Sequence, residues 1–540
     1  MTSAFNFFLY LMSFLILFMV VTGGGKWNKV EFSSLDLWVM VTIFLSYSYY
    51  KVTGRLPRLY IKVKLLVRRL RGAPSSTRIV QAFFLLALYF IVLNVFKVLS
   101  LQTHGYDMAY VHRGLYHPYV NEKWLFCEIC KNQTYFGDHL SFVFVPLSYL
   151  FSLFKSEILI ESFKVISIFL GLFILFKAFI LEGKSKALKF FFPTLFIILC
   201  NRSLRNSLLW NFREDHLLFL FLSIMIFGIV RRKNLLVFLG AILGLITKEQ
   251  VGLIIMATAP VYFYYLEGPW KKRLFYSFTL FLCGGVYFAV AMKLLIPFFA
   301  EAAHESNNIV GRFSKFGSTP QEIIYNVITT PKYILEITLS LVNKMNVKYL
   351  FLMIAPYVFF LRRGAIWLVP ASVTLMLNMI SPLPNEKMMI FHYDLPALPF
   401  LITALFVGLS KAKVNNSSLI WACIIGLSFS GRWPLAGVKF PRLDLVQTSL
   451  RLNSLPHNYN YASSIKNLAK ILSVKSAIPI DFKSCKDKAC IVKMLNRNRI
   501  DRVILDLREE REALFYEIIK NQFKSIEIGN QIIQVNITNE

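Results

Sequence analysis

Residues 51–78, KVTGRLPRLYIKVKLLVRRLRGAPSSTR, carry nine Lys or Arg and no acid, and apolar runs near 35–50 and at 79–99 flank them. Long continuous apolar runs of this kind are confined to bilayer-spanning helices, because a helix satisfies its own backbone in lipid. Basic loops stay in the cytoplasm, so the same block sets the orientation of the chain.

Counting from that block, spans 4–22 and 35–50 place the N-terminus in the cytoplasm. The start Phe5–Val21 lacks a basic n-region and a small-residue cleavage site, so it reads as a retained helix. Span 79–99 leads out to a polar loop, 100–138. Residues 139–154 are apolar but short and contain Pro146, which suits a juxtamembrane or partly inserted helix on the outer side. Spans then follow at 157–181, 188–202, 215–230, 234–247, 251–267, 274–298, 348–361, 365–381, 393–410 and 417–430, with a second polar loop at 299–345. The count is about thirteen spans with the C-terminus outside. By that count the basic turns at 184–189, 231–233, 271–273, 362–363 and 411–413 all fall in the cytoplasm.

The expected fold is an all-α polytopic membrane protein with a small α/β domain at its end. Residues 1–78 hold the first two spans and the basic loop, 79–430 the main transmembrane domain, and 431–540 an extracytoplasmic domain. In the last, Ser463–Leu472 and Glu509–Gln522 read as helices. Ala477–Phe482, Arg502–Leu507 and Gln531–Ile537 read as strands, with a hairpin turn at Gly529-Asn530. The chain is 56% hydrophobic and its net charge is +30. In a soluble protein that charge would suggest nucleic acid. Here it marks cytoplasmic loops against anionic lipid, and no basic-aromatic module is present, so no nucleic-acid partner is expected.

Seven cysteines are present. Cys200, Cys283 and Cys423 lie in expected spans as packing residues. Cys127/Cys130 and Cys485/Cys490 form two close pairs on the outer side, where disulfides persist, and two local disulfides are expected. The rival is one four-thiolate zinc site joining both pairs.

Ionisable residues gather at the outer ends of spans. Loop 100–138 brings His104, Asp107, His112, Arg113, His117, Glu128 and Asp138, with His139 next; then come Arg213, Glu214, Asp215 and His216, the turn Lys248-Glu249, and Glu386, Lys387, His392 and Asp394. Charges at a hydrocarbon edge are costly unless paired, so they line a site or join helices. A solvated loop explains His112, His117 or Glu128 taken singly. It does not explain Glu214/Asp215 and Lys248/Glu249, which abut long apolar runs, and there the structural rival is an ion pair such as Lys248 with Glu214. Asp138, His139 and Asp215 are the candidate ligands for a divalent cation such as Mg or Mn, although no dense ligand spacing appears. No phosphate-binding glycine loop and no nucleophile elbow is present.

The runs HGYDMAYVHRGL (104–115), FGDHLSFVFVPLSYLFSLF (136–154), FREDHLLFLFLSI (212–224), LGLITKEQVGL (243–253) and FHYDLPALPFL (391–401) resemble a bacterial family of predicted membrane proteins, domain of unknown function 2079. The likeness covers about residues 80–510. That family in turn resembles the glycosyltransferase-C superfamily, whose members take a sugar from a polyprenyl-phosphate carrier at the outer leaflet. The resemblance implies a catalytic acid in the first large outer loop, the place of Asp107, followed by a juxtamembrane helix, the place of 139–154. It also implies residence in the bacterial inner membrane. Where the family often has a second acid in a DxxxxDQ-like pattern, this chain has His112 and Arg113.

The resulting expectation is an inverting glycosyltransferase of the cell envelope, with a polyprenyl-phosphate sugar as donor. Asp107 is the general base, with Asp138 and Asp215 next in line. Lys248, Arg213 or a bound cation faces the leaving phosphate. His139, Glu214, His216, Glu249 and His392 complete a substrate-binding set, and the C-terminal domain binds the acceptor or caps the site. The alternative is a transporter or flippase for a lipid-linked or small polar substrate, using the same charges as a pathway.

Overall fold

The computed structural model describes residues 76–537, except 104–106, 128, 155, 181–189, 300–315, 318–319, 342, 390, most of 412–442, 456–458, 464–475, most of 480–499, 508–509, 522 and 530–531. The expected spans 4–22 and 35–50, most of the expected span 417–430, the basic block up to residue 75, His104, Glu128, Cys485 and Cys490 lie outside the described residues.

Among the described residues, four stretches are long and apolar enough to cross a membrane: Thr77–Leu99, Glu157–Phe179, Trp270–Phe299 and Met345–Ile380. The first three belong to α1 (Ser76–Leu99), α3 (Glu157–Ile180) and α9 (Trp270–Val290, extended through a π-helical turn at Ala291–Leu295). Between α1 and α3 lies α2 (Phe144–Phe154), too short to span, with Pro146 in its first turn where a missing amide costs nothing. Helices α4 (Phe191–Leu199), α5 (Arg202–Leu209), α6 (Glu214–Arg231), α7 (Asn234–Leu245) and α8 (Val251–Tyr265) follow α3. Arg232 adopts a left-handed conformation that ends α6 and lets α7 begin almost at once.

Two stretches between the expected spans carry helices that hydropathy does not mark. The stretch 202–214 holds a helix, α5; its polar residues hid it from a hydropathy reading. The loop 299–345 contains α10 (Pro320–Thr329) and α11 (Pro331–Leu341), each opened by a proline at its first position.

The 36-residue stretch Met345–Ile380 is two legs. In α12 (Lys344–Ile354) the Asn346 amide donates to the Met379 carbonyl at 2.8 Å, and Tyr349 Oη lies 3.0 Å from Asn378 Nδ2; both partners belong to α13 (Leu368–Ile380). Early residues meet late ones, so the legs run antiparallel, with the turn near Arg362-Arg363, the position assigned to a basic turn from sequence. Helix α14 (Leu398–Lys411) follows.

By compactness the chain forms two units. One comprises Met1–Ala82, Ile174–Asn206 and Ile337–Pro434; the other comprises Phe83–Phe173, Ser207–Glu336 and Leu435–Glu540. In the second unit α8 and α9 approach so closely that a Cβ on Gly252 would meet the Gly284 carbonyl oxygen at 2.5 Å, and one on Gly284 would meet that of Gly252 at the same distance. Small residues at a crossing let apolar helices gain contact that lipid cannot replace.

The segment between α1 and α2 has a core of its own. Tyr110, Leu115, Tyr116, Leu125, Cys127, Cys130, Tyr135 and Phe136 are buried together with Phe144, Phe151, Phe212 and Ile296. Cys127 and Cys130 are disulfide-bonded inside this cluster. Strands β1 (Tyr119–Val120) and β2 (Lys123–Trp124) form a hairpin turned by Asn121 and Glu122, both with positive φ, as a two-residue turn requires.

Residues 443–537 contribute α15 (Leu443–Asn453), α16 (Glu510–Ile519) and a five-stranded sheet. The strands are β3 (Asn460–Ser463), β4 (Ser476–Pro479), β5 (Arg502–Asp506), β6 (Ser525–Gly529) and β7 (Ile532–Asn536). The order is β4-β3-β5-β7-β6, parallel from β4 to β5 and antiparallel thereafter. Ser463, expected to open a helix, instead ends β3, and Gly529 pairs with Ile532 as the last residue of β6. One core of the sheet, around Tyr461, Ile504 and Ile532, packs against Leu101 and Ile129 of the segment between α1 and α2.

Candidate active site

Asp107 opens a π-helical turn, Met108–His112, which runs into the short helix Arg113–Tyr116. Such turns strain the helix ladder and recur at functional sites. Asp107 is 7% exposed. Trp210 Nε1 donates to Oδ2 at 2.6 Å, and Arg213 donates to Oδ1 at 3.3 Å. Two donors from one connector, between α5 and α6, therefore orient a carboxylate that has about four lone-pair sites.

Arg213 is also the N-terminal cap of α6, lies over the Tyr110 ring and approaches Glu214 at 3.5 Å. Glu214 accepts the Tyr135 hydroxyl at 2.8 Å. Lys248 Nζ, fully enclosed on the α7–α8 turn, is 3.1 Å from Glu214 and 3.0 Å from Asp215. Burial works against its charge, yet Asp215 and Glu214 together raise its pKa above the ordinary lysine value. The ion pair of Lys248 with Glu214, the structural rival at this position, is thus present, and Asp215 shares it.

Next in sequence, Glu249 accepts from the Leu140 amide and pairs with His139 Nδ1, each at 3.1 Å. Burial pushes the Glu249 carboxyl up, but His139, Lys248 and backbone donors outweigh it and hold the group below the usual range. Ser141 Oγ donates to the Thr247 carbonyl and the Val143 amide to that of Ile246. Residues 139–143 are therefore laced to 246–249, which carries Asp138, 3% exposed, on the adjoining backbone.

His216 has both ring nitrogens on backbone, Nδ1 at Arg213 and Nε2 at the Ser207 carbonyl, so it acts as a structural cap. His112 is fully buried, with Nε2 3.6 Å from Glu161, and burial pushes its pKa down to about 4 against the pull of Glu161. His117 is buried and meets Arg113 at 3.1 Å. Neither histidine belongs to a solvated loop.

Asp107, Asp138, His139, Arg213, Glu214, Asp215, His216, Lys248 and Glu249 all fall in the second unit. Glu386, Lys387, His392 and Asp394 fall in the first. There Asp394 accepts from Tyr349, from Ser203 at 3.1 Å and from Asn378 at 3.0 Å, and His392 is buried beside the Tyr393 ring. Among the described residues, no three His, Cys, Asp or Glu side chains converge as metal ligands would. Asp215 Oδ2 and His139 Nδ1 are each turned to an ionic partner instead. The Cys127–Cys130 bond leaves no pair of thiolates there for a shared zinc site.

Several residues of this neighbourhood are not singled out by the sequence, among them Trp210, Glu161 and Lys164. Glu161 and Lys164 form a buried ion pair within α3. Two opposite charges three residues apart inside an apolar run were the available signal; for Trp210 there was none, because its partner is 103 residues away.

A family described as "Predicted membrane protein (DUF2079)" matches residues 96–481. No curated protein matches the chain. Among solved structures, ArnT from Cupriavidus metallidurans bound to undecaprenyl phosphate is similar, with 12% identity and a TM-score of 0.48, covering 85% of this chain and 98% of that one.

Proposed function

This chain belongs to the DUF2079 family of predicted membrane proteins, and from that premise we propose that it transfers a sugar from a polyprenyl-phosphate carrier to an acceptor on the extracytoplasmic side. The observation that carries the reading is Asp107, buried on the loop after α1 and oriented by Trp210 and Arg213.

In the proposed step, the Asp107 carboxylate takes the proton of an acceptor hydroxyl. The hydroxyl oxygen attacks the anomeric carbon as the bond from that carbon to the phosphate oxygen breaks. Polyprenyl phosphate leaves with the electron pair, and the anomeric configuration inverts. A base needs hydrogen-bond reach to its proton. Charge developing on the phosphate would draw on Arg213 and Lys248, which act strongly in a site closed to water. Four carboxylates (Asp107, Glu214, Asp215 and Glu249) stand against these two permanent cations. Among the described residues the expected cation ligands Asp138, His139 and Asp215 do not converge, and Asp215 and His139 each face an ionic partner, so the proposed step is routed through no metal.

The test uses the full chain in lipid nanodiscs with a radiolabelled polyprenyl-phosphate sugar and an envelope extract as acceptor. Wild-type chain should release polyprenyl phosphate and label the extract. Asp107→Asn should lower that rate by about 10²–10⁴-fold, the span of general-base catalysis, with unchanged folding. Full activity in Asp107→Asn defeats the assignment. The transport reading is favoured by one observation, the Glu161–Lys164 pair inside α3; donor that crosses a vesicle membrane uncleaved would support it instead.

A further inference from the structure

The connector 210–213 has no regular structure, and the last carbonyls of α5 before it have no partners within their helix. Side chains from two spans take these groups in turn. Asn94 of α1 donates to the Leu208 carbonyl at 2.9 Å, and Lys97, three residues on, donates to that of Leu209. Lys164 of α3 donates to the Trp210 carbonyl, and Glu161 accepts from the Phe212 amide at 2.9 Å. His216 closes the row at Ser207 and Arg213. The holders are also bound to each other: Lys164 pairs with Glu161 and donates to Asn94 Oδ1 at 2.9 Å. Asn94, Glu161 and Lys164 are each at most 2% exposed.

Burying a lysine and a glutamate between spans is costly, and apolar side chains of similar volume would join the helices as well. Apolar side chains cannot fix a carbonyl and an amide two residues apart. The fixed backbone is the one that carries Trp210 and Arg213, whose donors meet Asp107 at 2.6 and 3.3 Å.

We infer that Asn94, Lys97, Glu161 and Lys164 are positioning residues, which lock residues 208–213 so that Trp210 and Arg213 hold the Asp107 carboxylate in place. The kinetic consequence rests on the transferase reading; the geometric consequence does not.

The test takes full-length chain in nanodiscs, labelled with nitrogen-15 on the tryptophan indoles. Trp210→Phe identifies the Trp210 signal among the eight tryptophans. Asp107→Asn gives its position without the charged acceptor. Glu161→Gln and Lys164→Met should each move the Trp210 signal toward that position, while the other indoles stay put and Lys164→Arg restores the wild-type signal. In the transfer assay Glu161→Gln and Lys164→Met should lose about 10–100-fold in kcat, with KM changed less than about twofold, as expected when a reacting group is displaced by an ångström or less. A Trp210 signal that does not move in Glu161→Gln and Lys164→Met overturns the proposal and leaves the ion pair as mere glue between spans. If those variants do not fold, Asn94→Leu, which frees the Leu208 carbonyl, one lysine contact and a bond to the Phe90 carbonyl within α1, should shift the signal the same way; an unmoved signal there also overturns it. Failure of the transferase reading would appear separately, as wild-type chain with an intact Trp210 signal and no transfer.

Discussion

A buried histidine makes the acid limit of this protein measurable at a single side chain. His112 is fully enclosed, and burial lowers its pKa from 6.5 to about 4. The unfolded chain therefore binds this proton more readily than the folded chain between those values. Stability is fully present above pH 6.5 and declines as the pH falls toward 4, by a contribution on the order of 3 kcal/mol. His112→Gln should flatten that part of the stability curve, measured by thermal unfolding in detergent across pH 7 to 4; an unchanged slope would mean that other groups carry it. Glu249 behaves in the same direction at lower pH, because its pKa is depressed in the folded chain. Glu249→Ala also leaves His139 and the Leu140 amide without their acceptor. That should cost about 1–3 kcal/mol, read as a lowered Tm that Glu249→Asp does not restore, since the shorter chain cannot bridge both donors. At this scale the sequence was informative where a charge abuts an apolar run, as at Glu214, Asp215, Lys248 and Glu249. It was silent for Trp210, which looks like any interfacial aromatic until its partner is known.

Helices tell a similar story one level up. Most were legible because hydropathy is a local property: α1, α3 and α9 are continuous apolar runs, and α6 to α8 are separated by charged or polar turns. Helix α5 was missed because its residues are polar, and β3 because Asn-Tyr-Ala-Ser carries no β-branched residue and is only four long. Close crossings of helices were not legible at all, since a glycine in a span has many uses. At α8 and α9 the use is contact, with Gly252 and Gly284 facing each other's carbonyls at the distance a Cβ would occupy. Gly284→Leu should force these backbones apart and cost about 1–3 kcal/mol, with a lower Tm and slower migration of the folded form in mild detergent. Gly285→Ala, whose added Cβ meets only the far end of Met256, should be near neutral.

At the scale of the whole molecule, one electrostatic asymmetry organises the proposal. In the topology we propose, the basic block at 51–78 and the basic turns face the cytoplasm, which would put loop 100–138 and the chain after 430 together on the extracytoplasmic side. A phosphatase that is active only outside the cytoplasm should work when fused after Glu540 and fail when fused at Arg232; the reverse result would invert the proposed topology. The apolar order of the chain was readable because lipid admits so few solutions. The grouping of distant segments was not, since compact units are set by contacts that no local pattern records. Residues 435–540 fall in the same unit as Asp107, and their sheet rests on Leu101 and Ile129. Removing the tail at residue 430 would therefore not detach a spare module. It would strip the apolar support from beneath the loop that opens at Leu101, so shortened chains belong among the damaged forms of this protein, not among its minimal ones.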